Sequence, residues 1–170
     1  TIYRQLDLFC VKYADQTWNL SEKMAEARES TGLAKQYRKK QITVPVGGHS
    51  LLLSKATSKR NWKEKKIVFL GIHNHEQGVD LLIPAFQKVQ KKIKDCSLVI
   101  VGSGELTDTL KKQVKELQLQ RFVTFTGFID SNAKVDQLLL QCHVGLAPYK
   151  IEKDSFKQFT DPGKIKTYLS

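Results

Sequence analysis

The sequence has no apolar run long enough to cross a bilayer; its uncharged stretches are short and strand-like. A spanning helix needs about 20 consecutive apolar residues, so none is expected. Cysteine is scarce, and Cys10, Cys96 and Cys142 are widely spaced and odd in number. Zinc and dithiol motifs need paired spacings. The three therefore read as buried thiols in a reducing compartment, and a cytoplasmic location is expected. His73 and His75 lie close in the sequence but have no third ligand beside them, so no metal is expected. Neither G-x-G-x-x-G nor G-x-x-x-x-G-K occurs, which argues against a dinucleotide dehydrogenase and a P-loop enzyme. No signal-peptide pattern is visible after Thr1, although a chain beginning there also fits one that has lost a leader.

What is present is an ordinary globular composition: 170 residues, 41% hydrophobic and 26% charged. That is long enough to bury a core, as one domain plus an appended segment. The formal charge of +11 is unevenly spread. Residues 1–66 hold 14 Lys and Arg against 6 Asp and Glu, whereas 67–170 hold 14 against 11. Such a balance suits phosphorylated ligands, an anionic membrane surface or nucleic acid. The basic residues are not interleaved with aromatics in a nucleic-acid module, so no nucleic-acid partner is expected. For most of these charges a solvated surface is an equally good account.

The first third of the chain predicts a helix ending near Ala14 and a short strand over Gln16–Leu20. A helix from Glu22 to about Thr31 follows, capped by Ser21 and stopped by Gly32. Thr43–Val46 reads as a strand, and residues 49–66 as a polar, basic linker or surface loop. Strands are then expected over Lys66–Leu70, Ser97–Val101, Val123–Phe125 and Val144–Ala147. Helices over Gln77–Lys92, Glu105–Leu117 and from Ser131 or Asn132 to Leu140 separate them. This alternation is the signature of βαβ units. Strands apolar on both sides imply a doubly wound, mostly parallel, Rossmann-like α/β sheet covered on both faces. A last helix opens at Asp161-Pro162-Gly163 and is still running at Ser170; a further strand is expected after it.

In such a sheet the ligand crevice lies at the carboxyl ends of the strands. Gly71 ends the first strand, and Gly102-Ser103-Gly104 forms a tight turn suited to a phosphate or ribose, or to backbone geometry alone. Glu105 opens the next helix, where a carboxylate is favoured by the dipole and can also meet a ribose. Phe128 and Ile129 either flank a planar base or cover the edge of the core. Gly163 and Lys164 form the stronger local site. Helix-start N–H groups attract phosphate, glycine allows close approach, and Lys164 adds positive charge in the turn where the dipole disfavours it. Asp154 and Ser155 lie in a polar loop, with no paired base to make Ser155 a nucleophile.

Five segments occur in order: IVFLGIHNHEQGVDLLIPAF, LVIVGSGEL, VTFTGFI, VGLAPYK and DPGKIKTYLS. Together they resemble the C-terminal domain of a GT-B glycosyltransferase of the glycosyltransferase group 1 (family 4) type, over roughly residues 65–170. The segment ADQTWNLSEKM with TVPVGG resembles the close of that family's N-terminal domain and the crossing into the second. The resemblance implies residues 1–48 as the end of the N-terminal domain and 67–170 as a truncated donor-binding domain. It also implies metal-independent transfer of a sugar from a nucleotide-sugar donor to a glycan or lipid-linked acceptor, with no cofactor besides that substrate. Gly71, Gly102, Gly104 and Glu105 then lie near the nucleotide, the backbone around Phe128 and Ile129 holds the base, and Gly163 and Lys164 face the diphosphate. A general base is expected from the other domain, and peripheral docking at the inner membrane face is implied.

The chain departs from the family's pattern at four places. Ile72 and Gln77 stand where an Arg and a Lys commonly bind diphosphate, and the family's two glutamates fall on Phe159 and Thr167. Thr167 lacks the charge for an equally strong bond to a ribose. Two readings therefore stay open beside the transferase. One is a non-catalytic module that binds a glycan or protein; the other is a different nucleotide-sugar enzyme, such as an epimerase.

Overall fold

Alternate residues of the central strands are apolar in both directions, and this pattern organises the larger part of the structure. The computed structural model describes residues 2–45, 47, 63–150 and 163–169. They fall into two compact units, one of residues 1–47 with 151–163 and one of 48–150 with 164–170.

In the larger unit four parallel strands, β3 (Lys65–Leu70), β4 (Cys96–Val101), β5 (Val123–Gly127) and β6 (Val144–Leu146), pair in the order β5-β4-β3-β6. Phe69, Leu98 and Ile100 point to one face. There they bury Leu82, Ile83 and Phe86 of α3 (Leu82–Lys92) and Leu110 and Val114 of α4 (Thr107–Glu116). Val68, Leu70, Val99 and Val101 point to the other face. Leu138 and Leu139 of α5 (Asn132–Leu140) and Tyr168 of α6 (Gly163–Leu169) cover them. Both faces are covered, which is why the strands read as continuous apolar runs. The chain steps outward from β3 through β4 to β5, then returns to the far side of β3 for β6. That reversal creates a topological switch point at the carboxyl ends of β3 and β6.

Several boundaries differ from the sequence expectation, each for a local reason. The helix expected from Gln77 is two short 3-10 turns, His75–Gln77 and Val79–Leu81, before α3 begins at Leu82. Gly78 separates them in the left-handed region, at φ +67°, and a Cβ there would overlap the carbonyl oxygen of Pro148. The helix expected from Glu105 starts at Thr107, leaving Glu105 and Leu106 in a turn. Of the expected linker, Lys65 and Lys66 belong to β3, and residues 49–62 lie outside the described residues.

In the smaller unit α1 (Ile2–Tyr13) and α2 (Glu22–Ser30) accompany two parallel strands, β1 (Thr17–Asn19) and β2 (Gln41–Thr43). The β2 ladder ends earlier than expected because Pro45 has no N–H to contribute; the N–H of Val44 is the last to pair, with the Asn19 carbonyl at 2.7 Å. The 3-10 helix Lys35–Lys40 was not anticipated. Arg28 joins these elements. Its guanidinium donates to both carboxylate oxygens of Asp7, at 2.7 and 2.8 Å, to Gln41 Oε1 at 3.2 Å, and to Oδ1 of the buried Asn19.

Candidate functional site

At the carboxyl ends of β3, β4 and β5 lies a cavity of about 230 Å³. Gly71 and Gly102 form its floor beside Leu70 and Val101, and Ile72, Phe128, Ile129 and Val135 form apolar walls. Phe128 is 79% exposed and Ile72 62% exposed. Two large apolar side chains held at a cleft mouth suit a flat ring that stacks on them.

Lys164 approaches Gly71 from α6. A Cβ built on Gly71 would sit 3.0 Å from the Lys164 ammonium. The same ammonium lies 4.0 Å from the centre of the Phe69 ring and 4.9 Å from that of Tyr149, within the range of a cation–π attraction. It also donates to Gln77 Oε1 at 2.9 Å. The loops that carry these partners are fastened together. Lys150 pairs with Asp80 at 2.5 Å, and the Lys150 N–H reaches the Glu76 carbonyl at 3.3 Å. A half-buried cation is thus held beside an apolar cleft, with Gly71 common to both.

His73 ties the same two loops from beneath. It is fully buried. Its backbone N–H donates to the Ser103 carbonyl at 3.0 Å and its carbonyl accepts from Leu106 at 3.0 Å. Its Nδ1 lies 2.9 Å from Thr107 Oγ1, which also bonds Gly104. Burial pushes the imidazole pKa down, and the positive charges of Lys111 and Lys164 act the same way. His73 is therefore neutral and structural at neutral pH.

The residues singled out from sequence fall into three groups. Gly71, Gly102, Phe128 and Ile129 line one cleft, and Lys164 abuts it at Gly71. Gly104 instead packs against backbone, since a Cβ there would lie 2.6 Å from the His73 carbonyl oxygen. Glu105 is exposed in the turn ahead of α4 rather than at a helix start. Gly163 begins α6, with open space where a Cβ would be. Asp154, Ser155, Phe159, Asp161 and Pro162 lie outside the described residues. Sequence reading missed Phe69 and Tyr149 as the walls around Lys164. Phe69 reads as core, and nothing in a linear pattern reveals that its ring face is turned to a cation.

The family model for glycosyl transferases group 1 matches residues 53–154. The chain belongs to that family. An uncharacterized glycosyltransferase of Methanocaldococcus jannaschii is 33% identical over 69 residues, 41% of this chain and 17% of that protein. The 2-deoxystreptamine N-acetyl-D-glucosaminyltransferase of Niallia circulans is 30% identical over 66 residues, 39% of this chain and 17% of that protein. The alpha-monoglucosyldiacylglycerol synthase of Streptococcus pneumoniae is 33% identical over 66 residues, 39% of this chain and 15% of that protein. The matched part of the chain thus spans 15–17% of the length of these relatives.

Among solved structures, a mutant of Staphylococcus aureus TarM in complex with fondaparinux, alpha-GlcNAc-glycerol and UDP superposes with a TM-score of 0.68 at 16% identity, covering 88% of this chain and 28% of that one. The pneumococcal O-GlcNAc transferase GtfA, in complex with UDP and GlcNAc, gives 0.64 at 17%, covering 85% and 28%. These likenesses establish the fold, that of part of a GT-B glycosyltransferase. Among the described residues no helix is long and apolar enough to cross a membrane.

Proposed function

We propose that this chain is the nucleotide-sugar-binding part of a family 4 glycosyltransferase, which passes a sugar from the nucleotide to a glycan or lipid-linked acceptor. The observation that carries the reading is the apolar cleft at the strand ends with Lys164 set beside it at Gly71. The cleft takes the base between Phe128, Ile129 and the Gly71 and Gly102 backbone. Lys164 meets the diphosphate. As the bond between sugar and phosphate breaks, negative charge grows on the leaving nucleoside diphosphate, and a preorganised ammonium in a partly desolvated setting stabilises that charge. No metal is required for this, because the cation is the protein's own. Glu105 and Gly104 serve the site through the turn they shape, and Gly163 through the placement of Lys164. A general base belongs to the acceptor side. The protein is expected to work in the cytoplasm, at the inner face of an anionic membrane.

Titration of the intact protein with UDP-, GDP- and ADP-sugars tests the reading. Saturable binding of one of them is expected, and Lys164→Ala should weaken it roughly 10-fold or more, the loss of one charge-assisted hydrogen bond. Unchanged affinity in that variant removes Lys164 from the phosphate site. A second reading is favoured by Ile72, Gln77 and Thr167, which replace charged residues of the family pattern: a module that keeps the fold and binds a glycan or protein without catalysis. Absence of saturable binding with all three donors would decide for it.

A further inference from the structure

The hydroxyl of Tyr168 sits where the β3–β6 ladder ends. Strand pairing between β3 and β6 runs from Ile67 with Val144 to Phe69 with Leu146. Beyond it, the Leu70 N–H donates to the Tyr168 oxygen at 2.9 Å, and the Tyr168 hydroxyl donates to the Leu146 carbonyl at 3.1 Å. One phenol thus bridges two strands where their own backbones no longer meet, at the switch point itself. The ring lies flat on β6, since a Cβ on Gly145 would come within 2.5 Å of it. Alanine at position 145 would therefore force the Tyr168 ring to shift.

Lys164 stands four residues earlier on α6, and positions four apart share a helix face. The contact that seats Tyr168 between β3 and β6 therefore also sets the rotation and height at which Lys164 reaches Phe69, Tyr149 and Gln77. We infer that Tyr168 is a positioning residue: its bridge across β3 and β6 holds the Lys164 ammonium at Gly71. The inference rests on the reading of Lys164 as the cation that meets the donor's phosphates. It adds that the cation's place is fixed from beneath, by a hydroxyl bonded to the backbones of β3 and β6. Phenylalanine would keep the packing on Gly145 but leave the Leu70 N–H and Leu146 carbonyl without the bridge.

The test compares, in the intact protein, whichever of UDP, GDP and ADP binds most tightly with its own nucleoside, which lacks phosphates. Lys164→Ala is expected to weaken the diphosphate about 10-fold or more while leaving the nucleoside unchanged. Tyr168→Phe is expected to weaken the diphosphate several-fold, about 3 to 10, with the nucleoside again unchanged. In a Lys164→Ala background it should cost nothing further, because its effect passes through the lysine. Three results would overturn the positioning role: wild-type diphosphate affinity in Tyr168→Phe, an equal loss for the nucleoside, or a loss that adds to that of Lys164→Ala. If Lys164→Ala itself changes nothing, or no diphosphate binds, the phosphate reading fails and takes this role with it. Should Tyr168→Phe not fold, 3-fluorotyrosine placed at position 168 supplies the second measurement. Its fluorine resonance should move on saturation with the diphosphate in the otherwise unaltered protein and stay fixed with Lys164→Ala; no movement in the former overturns the inference.

Discussion

His73 shows how a side chain with no role legible in sequence can act as a fastening in structure. It stands beside His75, yet its ring is buried against α4 and bonded to Thr107. Its lowered pKa, caused first by burial and then by Lys111 and Lys164, has a signed consequence for stability. Above the imidazole's ordinary value of 6.5, folded and unfolded chains are both neutral at this residue and its contribution is complete. As pH falls below that value the unfolded imidazole takes up a proton while the folded one resists. Stability is therefore lost progressively until the folded pKa has been passed. Urea unfolding should give a lower midpoint at about pH 5 than at about pH 7.5. His73→Gln, which keeps a hydrogen-bonding side chain but cannot charge, should narrow that gap. An undiminished gap in the variant would assign the acid loss to other groups.

At the scale of elements the smaller unit depends on polar contacts more than on a large core. Arg28 connects α1, α2, β1 and β2 through Asp7, Asn19 and Gln41. Its side chain is 14% exposed while that of Asp7 is 45% exposed, so the ion pair with Asp7 is partly screened and the buried Asn19 matters more. Replacing Arg28 by Met keeps most of the bulk but strips Asn19 Oδ1 of that donor, at a cost of about 1–3 kcal/mol. Thermal unfolding of the intact protein should record the loss, and an unchanged curve would show that water replaces the guanidinium freely. Nothing in the sequence announces this node, because its members come from four separate segments. By contrast, β3, β4, α5 and the helix that Gly32 stops were legible, since each carries its own periodicity or stop signal within one window, although the Ser21 side chain makes no capping bond. The starts of α3 and α4 were not. Gly78 and the turn ahead of Thr107 are shaped by what they meet, Pro148 and His73, rather than by their neighbours in the chain.

Across the whole molecule the doubly wound fold followed from alternation, and four of the eight residues singled out for a site share one cleft. What stayed illegible is how Lys164 is held, since Phe69, Gln77 and Tyr149 become its surroundings only in the folded sheet. Charge, by contrast, is fully legible and is a property of the whole chain. Most of the +11 excess falls in residues 1–66, at 14 basic against 6 acidic. The larger unit's core is assembled from apolar strands and helices that need none of it. Such an excess, if it serves to hold an acceptor-bearing membrane, must act through the diffuse field of an anionic surface. That field decays over a Debye length of about 10 Å at 0.1 M salt and about 3 Å at 1 M. The intact protein should therefore sediment with vesicles containing phosphatidylglycerol at low salt and release from them as salt rises, while ignoring vesicles of phosphatidylcholine alone. Equal binding to both compositions would point to apolar insertion instead. Binding to neither would leave the basic residues as a solvated surface.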